Sequence, residues 1–339
     1  MNGESRPLVS VVTPMYNTAA YVEECIESVR RQTYQNWDYV IVNNCSTDGS
    51  AEIARRFAQI DARIRVVDNA ALLPAIANHN HALRQISPAS KYCKVVFSDD
   101  WIFPRCLEEM VAVAEASPSI GVVGSYGIQG ADTGHTGRCV SGRELGRWLL
   151  LETSSWDLAQ RLGPAYGNLA AHSLLYRSDL VRGREKFFNE ANLHCDRERF
   201  IDLLRECDFG FVHQVLTFTR ERPDSLSAFS MSYNTFAGGR LYDVMAYGAD
   251  FMTAPELRAR RANVINDYYN YLAISLMMGR RDVKFWDYHK QKLAESGVEF
   301  SRSKLIGALL ARCLKAVANP METLQKLRLV RTRAHYREA

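Results

Sequence analysis

The chain reads as an α/β fold, a mostly parallel sheet flanked by helices, followed by a mainly helical C-terminal region. Three observations predict it. Val-rich runs of strand length recur through the first hundred residues, as strands buried on both faces should read. Between them lie segments whose apolar residues fall at helical spacing. Beyond about Ser230 the Val/Ile runs give way to helical segments rich in aromatics, such as VINDYYNYLAISLMM and KFWDYHKQKL.

Taken in order, LVSVVTP is the first buried strand, and AYVEECIESVRRQ follows with Tyr21, Val22, Cys25, Ile26 and Val29 on one helical face. WDYVIVNN is the second strand, broken by the turn-rich CSTDGS, in which Ser46 or Asp48 can cap the helix SAEIARRFAQI. RIRVVDN and PAIANHNHALRQI make the third pair, and KYCKVVFSDD is a fourth strand that ends in two carboxylates. This alternation implies right-handed crossovers and a parallel sheet. Between Gly121 and Gly142 lie seven glycines, so long loops are expected from Gly121 to Gly167. AHSLLYRSDLV regains a strand-to-helix pattern, DRERFIDLLREC is an amphipathic helix, and FGFVHQVLTFTR is a late strand. The expected division is residues 1–230 and 231–339.

Composition narrows the class. At 339 residues, 47% hydrophobic and 24% charged, the chain is neither disordered throughout nor low in complexity. The opening MNGESRPLVS lacks an apolar run before a cleavage site, and no stretch reaches the length of a membrane span. The expectation is a cytoplasmic protein. Eight scattered cysteines, with no CxxC pair, fit reduced thiols rather than a disulfide framework or a zinc ribbon. A net charge of +4 is too mild to imply nucleic acid.

In a parallel α/β sheet, ligands bind beyond the carboxyl ends of the strands. Three polar clusters fall there: Thr13 to Asn17, Asn43 to Ser46, and Ser98-Asp99-Asp100. The chain has neither GxGxxG after its first strand nor GxxxxGK[ST], so dinucleotide and P-loop sites are excluded. Adjacent carboxylates suit a hard divalent cation that also meets phosphate oxygens, Mg²⁺ or Mn²⁺. His79 and His81 stand two apart on a helix and share no face, so a joint metal site is not expected.

The segment VSVVTPMYNTAAYVEECIESVRRQTYQNWDYVIVNNCSTDGS resembles the opening of family 2 glycosyltransferases, with P-x-Y-N, Q-T-Y-x-N-W and S-T-D-G-S in register. VVFSDDWIFPRCLEEMV is similar to the family's metal-binding strand end, including a Pro four residues after the second Asp. The likeness runs from about Leu8 to Ser227. It implies the Rossmann-like, A-type nucleotide-sugar fold and an inverting transfer from a UDP- or dTDP-type donor to a hydroxyl of a glycan or lipid-linked acceptor. The pathway it implies is cell-surface polysaccharide synthesis.

Carried over by position, Pro14 and Tyr16 would border the base, and Asn44 would accept a bond from it, in place of the usual Asp. Asp99 would face the ribose and Asp100 the metal, with Phe97 where many members have a further Asp. Asp196, in Cys195-Asp196 rather than Glu-Asp, would be the catalytic base, with His194 nearby as orienter or structure. Arg220 and Arg222, in R-E-R-P-D-S, would neighbour the diphosphate, Arg222 replacing a His. Those departures keep open a second reading, a non-catalytic nucleotide-sugar-binding or scaffold protein of the same pathway.

The tail is the basic part: residues 301–339 hold nine Lys/Arg against two Glu, a local +7. Leu305, Ile306, Leu309, Leu310, Cys313, Leu314 and Val317 form one helical stripe, with Lys304, Arg312 and Lys315 off it, Pro320 after it, and Lys326, Arg328, Arg331 and Arg333 beyond. Two readings compete. Either the helix docks on the fold, or it lies on an anionic membrane surface at the inner face of the cell membrane.

Overall fold

Strand β1 (Val9–Met15) is buried at every position because it lies inside a sheet of order β3-β2-β1-β4-β7-β6-β8-β5 among the described residues. A computed structural model provides the coordinates and describes residues 6–131, 170–222 and 225–318. The other strands are β2 (Trp37–Asn43), β3 (Ile64–Asp68), β4 (Tyr92–Val95), β5 (Trp101–Ile102), β6 (Ile120–Ala131), β7 (Leu174–Arg177) and β8 (Asp208–Glu221). Strands β3, β2, β1 and β4 are parallel neighbours, with Thr13 opposite Ile41 and Val12 opposite Val95. Strand β7 runs antiparallel to both β4 and β6, β5 antiparallel to β8, and β8 parallel to β6. The expected parallel half is therefore joined to a mixed half. Strand order reverses between β1 and β4, which opens a crevice at their carboxyl ends.

Helices α1 (Val22–Arg30), α2 (Ser50–Ile60), α3 (Ala75–Leu83), α4 (Cys106–Ala114), α5 (Ser178–Arg182) and α6 (Cys195–Leu203) cover the faces. On α1, Val22, Cys25, Ile26 and Val29 face inward as their spacing predicts. The core divides into two clusters, one on each face: Val9, Val11, Tyr39 and Ile41 point one way, and Val12, Val40 and Val42 the other. This is the period-two alternation of a sheet covered on both sides. The seven described cysteines are unpaired; Cys139 lies outside the described residues.

One expectation fails within Gly121–Gly167. Residues 120–131 form a strand of 12 residues, not a loop. Its glycines serve close packing: a Cβ on Gly124 would stand 2.8 Å from Phe209 Cζ, and one on Gly127 would stand 2.7 Å from Thr217 Oγ1. Glycine frequency signals a loop only where it frees the backbone; here it lets a neighbour approach. Residues 132–167 of that expected loop lie outside the described residues.

The chain divides into two units, 1–228 and 229–339. The second contains α8 (Thr235–Phe251), α9 (Ala254–Met277), α10 (Val283–Glu295) and α11 (Arg302–Ala318), and α7 (Leu226–Tyr233) spans the division. A capping box joins Thr253 and Glu256 at the start of α9. In the core of this unit, His289 is bonded at both ring nitrogens, to Tyr268 Oη at 2.7 Å and to the Tyr233 carbonyl at 3.0 Å. No helix among the described residues is long and apolar enough to cross a membrane.

The stripe expected on the last helix is divided. Leu305 and Ala308 pack into the core of the second unit, whereas Ile306, Leu310, Leu314 and Val317 are 56–80% exposed. The helix has two apolar edges, one docked and one bare. Pro320, Lys326, Arg328, Arg331 and Arg333 lie outside the described residues.

Candidate active site

The crevice begins where β1 ends. Pro14 is buried opposite Val42, beyond the last paired residues of β1 and β4, Val12 and Val95, so its missing N–H interrupts no ladder on that flank. Tyr16 follows, 47% exposed. The S-T-D-G-S turn straps the next residues in place: Ser46 Oγ accepts from Asn17 N, Ser50 Oγ from Thr18 N and Asp48 Oδ2 from Ala19 N, all within 3.1 Å. Asn17 and Cys45 hold left-handed backbone, at φ of 47° and 57°. That conformation is uncommon for a cysteine.

Asn44 is placed differently from the expected free acceptor. Its Oδ1 already accepts from Asn69 Nδ2 at 2.8 Å and Leu73 N at 2.9 Å, and its Nδ2 donates to the Leu73 carbonyl. Both carbonyl lone pairs are occupied. The residue ties the segment from Asn69 to Leu73 to the end of β2.

The two carboxylates stand beyond the end of β4, in a turn closed by Asp100 N donating to the Phe97 carbonyl. Strand β5 fixes them against β8, with Trp101 opposite Phe218 and the rings stacked at 4.8 Å. Arg220 N donates to Asp100 Oδ1 at 2.8 Å, and Arg220 Nε to the Asp99 carbonyl at 2.9 Å. Arg222 Nη1 meets Asp99 Oδ2 at 3.2 Å. Arg220 also pairs with Glu24, and both guanidinium groups lie over the Tyr21 ring, at 4.7 and 5.5 Å. Burial, then the adjacent Asp99 charge, pushes the Asp100 carboxyl well above its ordinary range, while the two arginines oppose the shift.

The sequence reading did not single out His172. It lies in the 3₁₀ turn Ala171–Ser173 that leads into β7. Its Nδ1 is 4.0 Å from Asp100 Oδ2, and its Nε2 is 2.5 Å from Thr219 Oγ1. Burial, with Lys94 nearby, lowers its pKa to about 3, so the ring is neutral. Beneath it Lys94, fully buried on β4, donates to the carbonyls of His172 and Leu174. Phe97 packs between His79 and His172, with ring centroids 5.0 and 6.0 Å away.

Asp196 opens α6. Its carboxylate accepts from the backbone N–H of Arg197 at 2.8 Å and lies near that of Ala171, yet burial still raises its pKa. Ala171 precedes His172, so the 3₁₀ turn links Asp196 to the Asp100 side of the crevice. Cys195 is buried in the core cluster with Phe188 and Phe200, and burial pushes its thiol up. His194 is the N-cap of α6 without a side-chain cap bond.

Of the residues singled out in the sequence, Asp99, Asp100, Arg220 and Arg222 are in direct contact. Asp196 reaches them through the 3₁₀ turn, and Pro14 and Tyr16 stand at the end of β1, beside β4. Pro223 and Asp224 of the arginine segment lie outside the described residues. Among the described residues no three His, Cys, Asp or Glu side chains gather to hold a metal alone. Asp100, buried beside a second carboxylate, still fits a cation whose remaining ligands come from phosphate and water, the usual arrangement for Mg²⁺.

A family model described as Glycosyl transferase family 2 matches residues 10–163. The glycosyltransferase GlyG of Streptococcus pneumoniae is 27% identical over 275 residues, covering 77% of this chain and 87% of that one. The chain spans only 37% and 50% of the length of two Bacillus subtilis relatives that are 34% identical to it. Among solved structures, S. aureus TarS with UDP-GlcNAc aligns at a TM-score of 0.60, with 15% identity and 89% of each chain covered. The mannosyltransferase PcManGT of Pyrobaculum calidifontis, with GDP-Man and Mn²⁺, aligns at 0.56, with 16% identity, 96% of this chain and 85% of that one. At these identities the structural likeness speaks for the fold alone.

Proposed function

We propose that this chain, whose residues 10–163 match the model of glycosyl transferase family 2, is an inverting glycosyltransferase of that family. It moves a sugar from a UDP- or dTDP-type donor to a hydroxyl of a glycan or lipid-linked acceptor in surface polysaccharide synthesis. One observation carries the reading: Asp99, Asp100, Arg220 and Arg222 meet at the β1–β4 crevice, and the Asp196 carboxylate lies near the Ala171 N–H, one residue from His172 on the same crevice. Solved relatives of the same fold carry UDP-GlcNAc or GDP-Man with Mn²⁺, which supports a nucleotide-sugar donor.

In this reading Asp196 takes the proton of the acceptor hydroxyl, which a carboxylate desolvated enough to be basic can do. Arg220 and Arg222 face the diphosphate and stabilise charge as it leaves. Tyr16 and Pro14 border the base, Asn44 keeps the segment from Asn69 to Leu73 in position beside it, and Asp99 anchors Arg222 while presenting an edge to the ribose. Asp100 would hold a divalent cation, Mg²⁺ or Mn²⁺, which when bound would supply Lewis-acid neutralisation of diphosphate charge. The test is donor hydrolysis or transfer across a panel of nucleotide sugars, with and without EDTA. We expect one donor class to be turned over and EDTA to lower the rate by about 10²-fold or more. Equal rates with EDTA would remove the metal, and no donor bound in thermal shift would remove the enzyme.

The bare edge of α11 supports a further partner. Arg302 lies beside the row of Ile306, Leu310, Leu314 and Val317, and Lys304 and Lys315 lie further round the helix from its other side. Apolar residues between cations suit an anionic bilayer surface, which would set the enzyme at the inner face of the cell membrane beside a lipid-linked acceptor. Full-length protein should co-sediment with phosphatidylglycerol vesicles at low salt, and Leu310→Glu with Leu314→Glu should cut binding by about 10²-fold. Protein left in the supernatant ends this reading, and a dimer dependent on concentration would assign the face to a second copy.

A further inference from the structure

Resting on Asp100 as the ligand of the donor's cation, we propose that His172 supplies a second protein ligand through Nδ1. The ring is 2% exposed and oriented at both ends. Its Nε2 lies 2.5 Å from Thr219 Oγ1, and a proton held there leaves the lone pair on Nδ1, the arrangement found when a metal-ligating histidine donates its other N–H to a neighbour. Nδ1 lies 4.0 Å from Asp100 Oδ2. A direct hydrogen bond would close that gap to about 2.9 Å. Two bonds of about 2.1 Å to one ion span from about 3.0 Å at a right angle to about 4.2 Å in line, so the gap is too long for a hydrogen bond and lies within the reach of two ligands that share an ion.

The surroundings agree. Asp100 Oδ1 is held by the Arg220 N–H, which leaves Oδ2 as the oxygen turned to the imidazole. The cations nearby are directed elsewhere: Arg222 to Asp99, the Arg220 side chain to Glu24 and the Asp99 carbonyl, and Lys94 to two backbone carbonyls. Thr219 and Arg220 follow one another on β8, so one strand end orients both ligands. Two protein ligands leave room for diphosphate oxygens and water. An imidazole in place of a second protein oxygen also favours Mn²⁺ over Mg²⁺, since nitrogen ligands suit transition ions.

The experiment is Mn²⁺ binding to the full chain, followed by electron paramagnetic resonance and spin-echo modulation with Mn²⁺ alone. Bound Mn²⁺ should show imidazole ¹⁴N modulation that changes to ¹⁵N on labelling histidine, disappears in His172→Gln and persists in His79→Gln. His172→Gln should also lower the preference for Mn²⁺ over Mg²⁺ by about 10-fold. Bound Mn²⁺ that Asp100→Asn releases, but that shows no histidine nitrogen or keeps it in His172→Gln, overturns His172 and leaves Asp100 in place. No bound Mn²⁺ overturns both. Should His172→Gln fail to fold by thermal unfolding, Thr219→Val, which frees the ring, must weaken Mn²⁺ binding; unchanged binding there overturns the proposal.

Discussion

Asp196→Asn is expected to lower kcat by about 10²–10⁴-fold, the usual range for losing a positioned general base, while donor binding stays at the level of the parent. The substitution keeps an oxygen able to accept from the Arg197 N–H, so the start of α6 should remain in place. The pH dependence adds a sign. A base works unprotonated, so activity falls as pH drops through its pKa. Burial raises that pKa, which puts the acid limb of kcat/KM above the ordinary aspartate value of about 3.9. The Asn variant should lose that limb along with the rate. If instead the parent binds a donor without turning it over, and Asp196→Asn changes nothing, the protein is a binder in its pathway and not an enzyme.

Lys94→Ala should be among the most destabilising single changes in the first unit. The side chain is fully buried on β4, and its ammonium bonds the carbonyls of His172 and Leu174. Truncation leaves a cavity of a kind that costs roughly 2–5 kcal/mol for a long aliphatic stem and two buried carbonyls at about 1–3 kcal/mol each. Relief of the buried ammonium offsets part of this. A net loss of about 4 kcal/mol corresponds to a fall in Tm of roughly 8–16 °C for a unit of this size. Lys94→Met restores the stem without the charge. Its Tm should lie between those of parent and Ala variant, with activity still reduced because the 3₁₀ turn loses its anchor. A parent-like Tm in both variants would show that the turn before β7 needs no support from the Lys94 side chain.

The first four strands were legible because each is a short Val/Ile run, and parallel burial on both faces produces that composition directly. The carboxylates were legible for the same reason, since a polar pair after a buried strand lies at a sheet end. His172 and Lys94 were not. Lys94 sits 78 residues from the carbonyl of His172 that it holds, and nothing local marks a lysine in a strand as buried. His172 begins an antiparallel strand, and the start of such a strand lies beside the carboxyl end of its neighbour. The polar AHS before LLYR was visible in the sequence, but the direction of β7 was not. Strand β6 was missed because its glycines were read as freedom of the backbone, when their use is close approach to Phe209 and Thr217.

The two residues of β5 carry a consequence for how the protein comes into being. Asp100 is held by Arg220, which lies 120 residues further along the chain. A ribosome releases the amino-terminal strands first, and they are free to pair as they emerge. Throughout that interval the carboxylates exist without their partners, and the loop closure that unites them is costly and late. A nascent or prematurely ended chain can thus possess the β1 and β2 side of the crevice and still lack its electrostatic centre. These contacts form only once the last strand has been made.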